Sequence, residues 1–220
     1  MRQALASTEQ GYDLLAPKFD STPFRTPEPV LDAMMAVIGG ERSIDAALDV
    51  CCGTGAALGR LRALCKQRVV GLDFSQGMLD EAARRVAGAP GSCRVELVRG
   101  DALGLPFDDA FDVVTCVGAF GHIVPREEDR FVAGIARALK RGGRFVFATG
   151  EPPPVTSPWW WIAHGFNGVM RVRNALRKPE FIMYYLTFQW PDVRPLLERH
   201  GLRPEAHRGV RCTVVSATKT

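Results

Sequence analysis

A chain of 220 residues, 46% hydrophobic and 24% charged, has room for one domain with a sizeable core. Its net charge of +4 comes from Lys and Arg interleaved with acids, which offers no broad basic face and argues against nucleic acid as a partner. Six cysteines invite a disulfide framework, but Cys51 and Cys52 are adjacent and Cys65 and Cys116 fall in predicted core elements; no metal-ligand spacing appears, so reduced thiols, no metal and a cytoplasmic location are expected.

The first residues are too few and too polar for a signal peptide. Ser7 or Thr8 caps a predicted helix carrying Tyr12, Leu14 and Leu15, and Pro17 stops it. Thr26 with Pro27 starts a second helix through Val30, Leu31, Met34, Met35, Val37 and Ile38, closed by Gly39 and Gly40. The run Ala46-Ala47-Leu48-Asp49-Val50 reads as a buried strand; Gly53-Thr54-Gly55 breaks it, and Ala56, Leu58, Leu61 and Leu64 resume at helical spacing. Glycines in such a turn permit positive φ and let a ligand lie against the backbone. The helix start that follows presents free N–H groups.

Arg68 to Asp73 is the second strand and Val95 to Arg99 the third, followed by Gly100-Asp101-Ala102. Asp49, Asp73 and Asp101 therefore all stand at the C-terminal ends of strands, where open α/β sheets bind ligands. A carboxylate at Asp73 accepts hydrogen bonds only, which suits the two hydroxyls of a ribose. Ser75 caps the next helix, through Met78, Leu79, Ala82, Ala83 and Val86; Phe74 and Met78 either line an adenine slot or pack in the core. Phe111 to Val117 is the fourth strand and runs into Gly118-Ala119-Phe120-Gly121-His122. Pro125 opens a helix that leads to a fifth strand, Arg144 to Thr149. Near Pro191 a last helix runs to Gly201, and short strands from Arg203 to Gly209 and Cys212 to Ala217 must pair antiparallel.

The stretches Leu48 to Gly55, Val70 to Leu79, Gly100 to Val114 and Ala138 to Phe147 resemble, in order and spacing, the class I S-adenosylmethionine-dependent methyltransferases. The likeness is to the branch containing ubiquinone/menaquinone-type C-methyltransferases and other small-molecule methyltransferases. It implies a Rossmann-like α/β fold: a mostly parallel seven-stranded sheet with an antiparallel edge strand and helices on both faces. It also implies S-adenosylmethionine as cofactor, surrounded by Tyr12, Asp49, Cys51, Gly53, Gly55, Asp73, Phe74, Met78, Asp101, Ala102, Leu103 and Val117. In that reading Asp73 takes the ribose, Asp101 the adenine amino group, the backbone from Cys51 to Gly55 the methionine portion, and Asp49 its amino end. Cys51 departs from the family's usual glycine. His122 stands where the family often has histidine, and is the candidate catalytic base or acceptor-orienting group; a histidine merely bonded to a loop carbonyl is the alternative.

The sequence argues against a nicotinamide dehydrogenase, since Leu58 replaces the third glycine of that fingerprint and no Tyr-x-x-x-Lys dyad is present. The expected organisation is one domain over 1–220, with residues 1–40 folding over the cofactor and an insertion at 151–190 capping the acceptor. That insertion holds Trp159, Trp160, Trp161, Phe166, Phe181, Tyr184, Tyr185, Phe188 and Trp190, more aromatic surface than a crossover helix needs. A small apolar or aromatic acceptor is expected, with peripheral membrane contact through 159–178, where Arg171, Arg173, Arg177 and Lys178 add charge. A non-catalytic cofactor-binding protein and a membrane-surface methyltransferase of a lipid or quinone stay open, as does the oligomeric state.

Overall fold

The computed structural model describes residues 7–39, 43–208 and 212–220. Seven strands form one sheet: β1 (Ile44–Val50), β2 (Cys65–Asp73), β3 (Arg94–Arg99), β4 (Phe111–Cys116), β5 (Leu139–Thr149), β6 (Leu202–Arg208) and β7 (Thr213–Lys219), in the order β3-β2-β1-β4-β5-β7-β6. The first five run parallel, while β7 runs against both β5 and the outer strand β6. The antiparallel edge expected of the last two strands is thus present. Chain order reverses at β1, which has β2 on one side and β4 on the other. Such a switch point opens a crevice beyond the strand ends. Register places Asp49 between Gly71 of β2 and Thr115 of β4.

Among the described residues seven α-helices flank the sheet: α1 (Thr8–Leu15), α2 (Glu28–Ile38), α3 (Leu58–Leu64), α4 (Gln76–Ala87), α5 (Pro125–Ala138), α6 (Pro158–Leu176) and α7 (Arg194–Arg199). Parallel strands buried on both faces read as continuous apolar runs, and β1 is one, with residues 46–50 all buried. Leu31, Met34 and Ile38 of α2, Leu58 and Leu61 of α3, and Leu79, Ala82 and Val86 of α4 fill one face. Phe131, Val132 and Ile135 of α5 and Leu197 of α7 fill the other, around Phe145 and Phe147.

Boundaries differ most from expectation in three places. β2 begins at Cys65, because the chain leaves α3 directly into extended backbone at its C-cap. β5 begins at Leu139, and an irregularity between Phe111 and Val113 carries the pairing on to Arg144. α7 is shorter than the span from Pro191 to Gly201. Gly40 and Gly209, expected at the ends of α2 and β6, lie outside the described residues. Among the described residues no helix is long and apolar enough to cross a membrane.

Candidate active site

The crevice at the switch point is built first by the turn after β1. Cys51 takes φ +56°, followed by Gly53 at +52° and Gly55 at +77°. A non-glycine residue in the left-handed region costs about 1–2 kcal/mol, so Cys51 adopts the geometry for which glycine is the easier choice. A Cβ built on Gly53 meets nothing within 4 Å, which leaves the backbone bare toward the crevice. At Gly55 it would stand 3.1 Å from Ala82 Cβ. Gly55 therefore seats the turn on α4 and does not line the crevice.

Two carboxylates sit in this floor. Asp73 accepts from Gly53 N through Oδ2 and from Ser75 N through Oδ1, both at 2.9 Å. Burial raises its pKa against those backbone bonds. Asp49 is 2% exposed and accepts from Thr115 Oγ1 at 2.7 Å. Burial pushes it up to about 7, opposed by the Thr115 bond and reinforced by the charge of Asp73. Each Asp73 oxygen retains a lone pair beyond its backbone bond. Phe74, Met78 and Val117 also line the crevice.

The N-terminal strap closes over this floor. Ser7 caps α1 by accepting from Gln10 N. Asp13 then accepts from Ser75 Oγ at 2.6 Å and Gly77 N at 2.9 Å, at the start of α4, where an acid suits the helix dipole. Thr54 Oγ1 donates to Asp20 at 2.8 Å. Tyr12 is thereby held against Phe19 and Phe74, with ring centroids 6.1 and 6.3 Å away.

Tyr12 Oη lies 2.6 Å from His122 Nε2, and His122 Nδ1 lies 2.5 Å from the Ile182 carbonyl. A carbonyl only accepts, so Nδ1 carries the proton and Nε2 takes the Tyr12 O–H. Burial lowers the His122 pKa, against the Ile182 bond. Burial first, then the charge of Asp73, raises that of Tyr12. Both shifts favour the neutral forms near pH 7. Of the two expectations for His122, the bond to a loop carbonyl is present at Nδ1, while Nε2 is engaged by Tyr12.

The insertion is pinned beside this pair. Tyr184 N donates to Gly121 O at 2.8 Å, and a Cβ on Gly121 would stand 2.6 Å from Tyr184 O, so only glycine fits there. Thr187 Oγ1 donates to Phe120 O at 2.9 Å. No side chain of 151–190 lines the crevice itself; Tyr184 and Tyr185 line a neighbouring cavity with His164 and Arg171.

Asp101, Ala102 and Leu103 also stand outside the crevice lining. Asp101 is exposed and caps a short turn by accepting from Leu103 N at 2.9 Å. Conversely, Phe19, Phe24, Arg25 and Thr26 line the crevice without having been singled out for it. Arg25 pairs with Glu28 through Nη2, while its Nε is buried with no hydrogen-bond partner, 3.9 Å from Asp20. A lone cation in a stretch without periodicity gives no signal in sequence.

Residues 47–143 match the family model described as a methyltransferase domain. A demethylmenaquinone methyltransferase of Clavibacter sepedonicus is 41% identical over 195 residues, 83% of this chain and 74% of that protein. A protein of the same name from Lactobacillus johnsonii is 38% identical over 124 residues, 53% of this chain and 49% of that one, so the chain spans about half the length of that relative. The solved complex of DhpI with SAH is similar over 100% of this chain and 98% of that one, with a TM-score of 0.71 and 17% identity, a likeness of fold. The bare backbone at Gly53 and the two buried carboxylates fit a ligand that carries a ribose and a cationic amino group. The chain belongs to the class I S-adenosylmethionine-dependent methyltransferases, in their quinone-type branch, and its cofactor is S-adenosylmethionine.

Proposed function

We propose that this enzyme methylates a ring carbon of a reduced, isoprenoid-bearing quinone, with Tyr12 and His122 receiving the proton of a ring hydroxyl. The observation that carries the reading is the fixed tautomer of His122, whose basic Nε2 faces the Tyr12 O–H at 2.6 Å beside the crevice. The 41% identical relative named demethylmenaquinone methyltransferase and the aromatic insertion support the acceptor class.

In this reading Asp73 binds the ribose hydroxyls and Asp49 pairs with the amino group. The Cys51 to Gly55 backbone faces the methionine portion, and Arg25 is the cation for its carboxylate. Phe74, Met78 and Val117 flank the adenine side, with Asp101, Ala102 and Leu103 at its rim. When bound, the cofactor supplies a methyl group on a cationic sulfur, displaced in line by the acceptor carbon. Positioning then provides much of the catalysis.

The acceptor hydroxyl passes its proton to the Tyr12 oxygen as Tyr12 passes its own to Nε2 of His122. The imidazolium is stabilised because Nδ1–H stays on the Ile182 carbonyl. The hydroxyl's electron pair is then free to drive the ring carbon into its new C–C bond. Aromaticity returns when the ring C–H proton leaves and the oxygen takes back the proton held by His122, so one proton is released per turnover. The insertion at 151–190 shields this exchange from water, over a single domain whose strap covers the cofactor.

The test is an assay with labelled cofactor against a reduced naphthoquinone bearing a short isoprenoid chain, beside simple phenols and amines. Product carrying the label on a ring carbon is expected. Methylation confined to oxygen, or turnover only with a non-quinone acceptor, overturns the proposal.

A further inference from the structure

α6 buries two asparagines and leaves several large apolar side chains exposed. Ala163, Asn167 and Asn174 are its buried residues. Asn167 donates to Tyr185 O at 2.9 Å and accepts from Tyr185 N at 2.8 Å. Two turns on, Asn174 donates to Phe181 O at 3.1 Å and accepts from Phe181 N at 3.0 Å. These amide pairs satisfy both the side chains and an irregular backbone, and they fix which face of the helix meets the protein.

The opposite face carries Trp161, Ile162, Val169, Val172 and Leu176, each between 59% and 79% exposed. Ile162, Val169 and Leu176 recur every seven residues, and Val172 lies four before Leu176, so they form one stripe. With 19 residues the helix is about 28 Å long. Single exposed hydrophobics are ordinary, but a contiguous stripe of this length marks a contact surface. The charges that the segment itself carries have one sign. Residues 152–178 contain Arg171, Arg173, Arg177 and Lys178 and no acid; Lys178 pairs with Glu180 just beyond.

We propose that α6 seats the enzyme on an anionic lipid bilayer, lying in the interface with its apolar stripe in the acyl boundary and its C-terminal cations against the head groups. A second copy of the chain is the poorer occupant, because an α6–α6 contact would bring two acid-free cationic segments together. A bilayer surface supplies the opposite charge. The indole N–H of Trp161 is already bonded to Val155 O at 2.9 Å, which lets that ring enter an apolar layer without an unpaired donor. The position has a use. Trp159 and Phe166 pack on Tyr185, with centroids 5.3 and 4.9 Å away, and the adjacent Tyr184 backbone holds the Gly121–His122 loop. A lipid-dissolved acceptor would reach the site from this side; that consequence rests on the quinone reading, whereas the lipid contact does not.

The experiment is co-sedimentation of the full chain with quinone-free vesicles, either phosphatidylcholine alone or an equal mixture with phosphatidylglycerol. Binding to the mixed vesicles, weakening as salt rises, is expected. A Val169→Ser/Leu176→Ser variant and an Arg177→Glu/Lys178→Glu variant should each bind about tenfold more weakly or worse. Cofactor affinity by calorimetry and melting temperature should stay as in the wild type, since all four side chains are on the surface. Absence of vesicle binding by the wild type, or equal binding by both variants, overturns the proposal. So does a wild-type dimer that the stripe variant turns monomeric in light scattering with vesicle binding unchanged. Because the vesicles contain no acceptor, failure of the quinone assay is read separately.

Discussion

The crevice floor and the insertion beside it are both tied down by hydrogen bonds, but by different kinds. In the floor, main-chain N–H groups converge on a buried carboxylate, Gly53 and Ser75 on Asp73, while Cys52 N bonds Leu72 O at 3.0 Å. In the insertion, side-chain amides of one helix hold the main chain of an irregular segment. The first arrangement fixes a loop against the sheet and admits few substitutions. The second needs two asparagines and leaves everything around them free to vary. In the proposed reading, the cofactor is held by a floor fixed through backbone geometry, and the acceptor lies on the side fixed through side chains.

The sharpest way to break that division is at Asp73. Asp73→Ala strands the Gly53 and Ser75 N–H groups and removes the ribose acceptor, so calorimetry should show cofactor binding about 100-fold weaker, or ~3 kcal/mol. Affinity within threefold of wild type would mean that the floor does not hold the cofactor. Tyr12→Phe keeps the ring packing and removes only the hydroxyl. It should lower kcat by about 100-fold with cofactor affinity nearly unchanged; an unaltered kcat would leave Tyr12 as a cover only.

Asp49 gives a smaller effect that depends on pH. With its pKa at about 7, the free enzyme holds a proton there below neutrality, and that proton must leave before the carboxylate can pair with an amino group. Cofactor affinity should therefore rise about tenfold between pH 6 and 8, and Asp49→Asn should flatten the slope. The ligand-free fold changes in the opposite sense. An unfolded carboxylate titrates near 4, so the native state gains relative stability as pH falls from 7 toward that value and loses it as pH rises. The smallest effect is expected at Asn174→Ala, which leaves the Phe181 N–H and C=O unpaired. Acceptor KM should rise about threefold and stability fall by about 1–2 kcal/mol, with cofactor affinity unaltered. If cofactor affinity falls as far as acceptor affinity, the two regions are not separable.

The sheet, its reversed strand and the floor were readable because each has a local cause. Buried parallel strands are continuous apolar runs, and an acid at a strand end is visible in the letters. What stayed hidden depends on long-range contact. Arg25 reaches the crevice only because the strap is drawn across it by Asp13 and Asp20. Gly55 looks like its neighbour Gly53 in sequence, yet it is Ala82 of α4 that assigns it to packing. Asp101 shares the strand-end position of Asp49 and Asp73, but β3 is the outermost strand on its side, which leaves that acid exposed. The spacing of Ile162, Phe166, Val169 and Met170 correctly indicates a helix. Periodicity defines a face without saying which way it points, and here Asn167 and Asn174 decide the direction.

The strap from α1 to Arg25 touches both halves of the site at once. Asp13 and Asp20 anchor it to the floor, while Tyr12 meets His122 and Thr8 Oγ1 accepts from Ile182 N at 2.8 Å. Lifting it to exchange spent cofactor must therefore part the tyrosine from the histidine. In the proposed reading the proton acceptor is assembled only while the strap is closed, and an open enzyme would also be a switched-off one. A strap that must open for exchange would impose an order, cofactor first and its spent form last, and a burst of product ahead of the steady rate in rapid-mixing experiments is the expected sign of it.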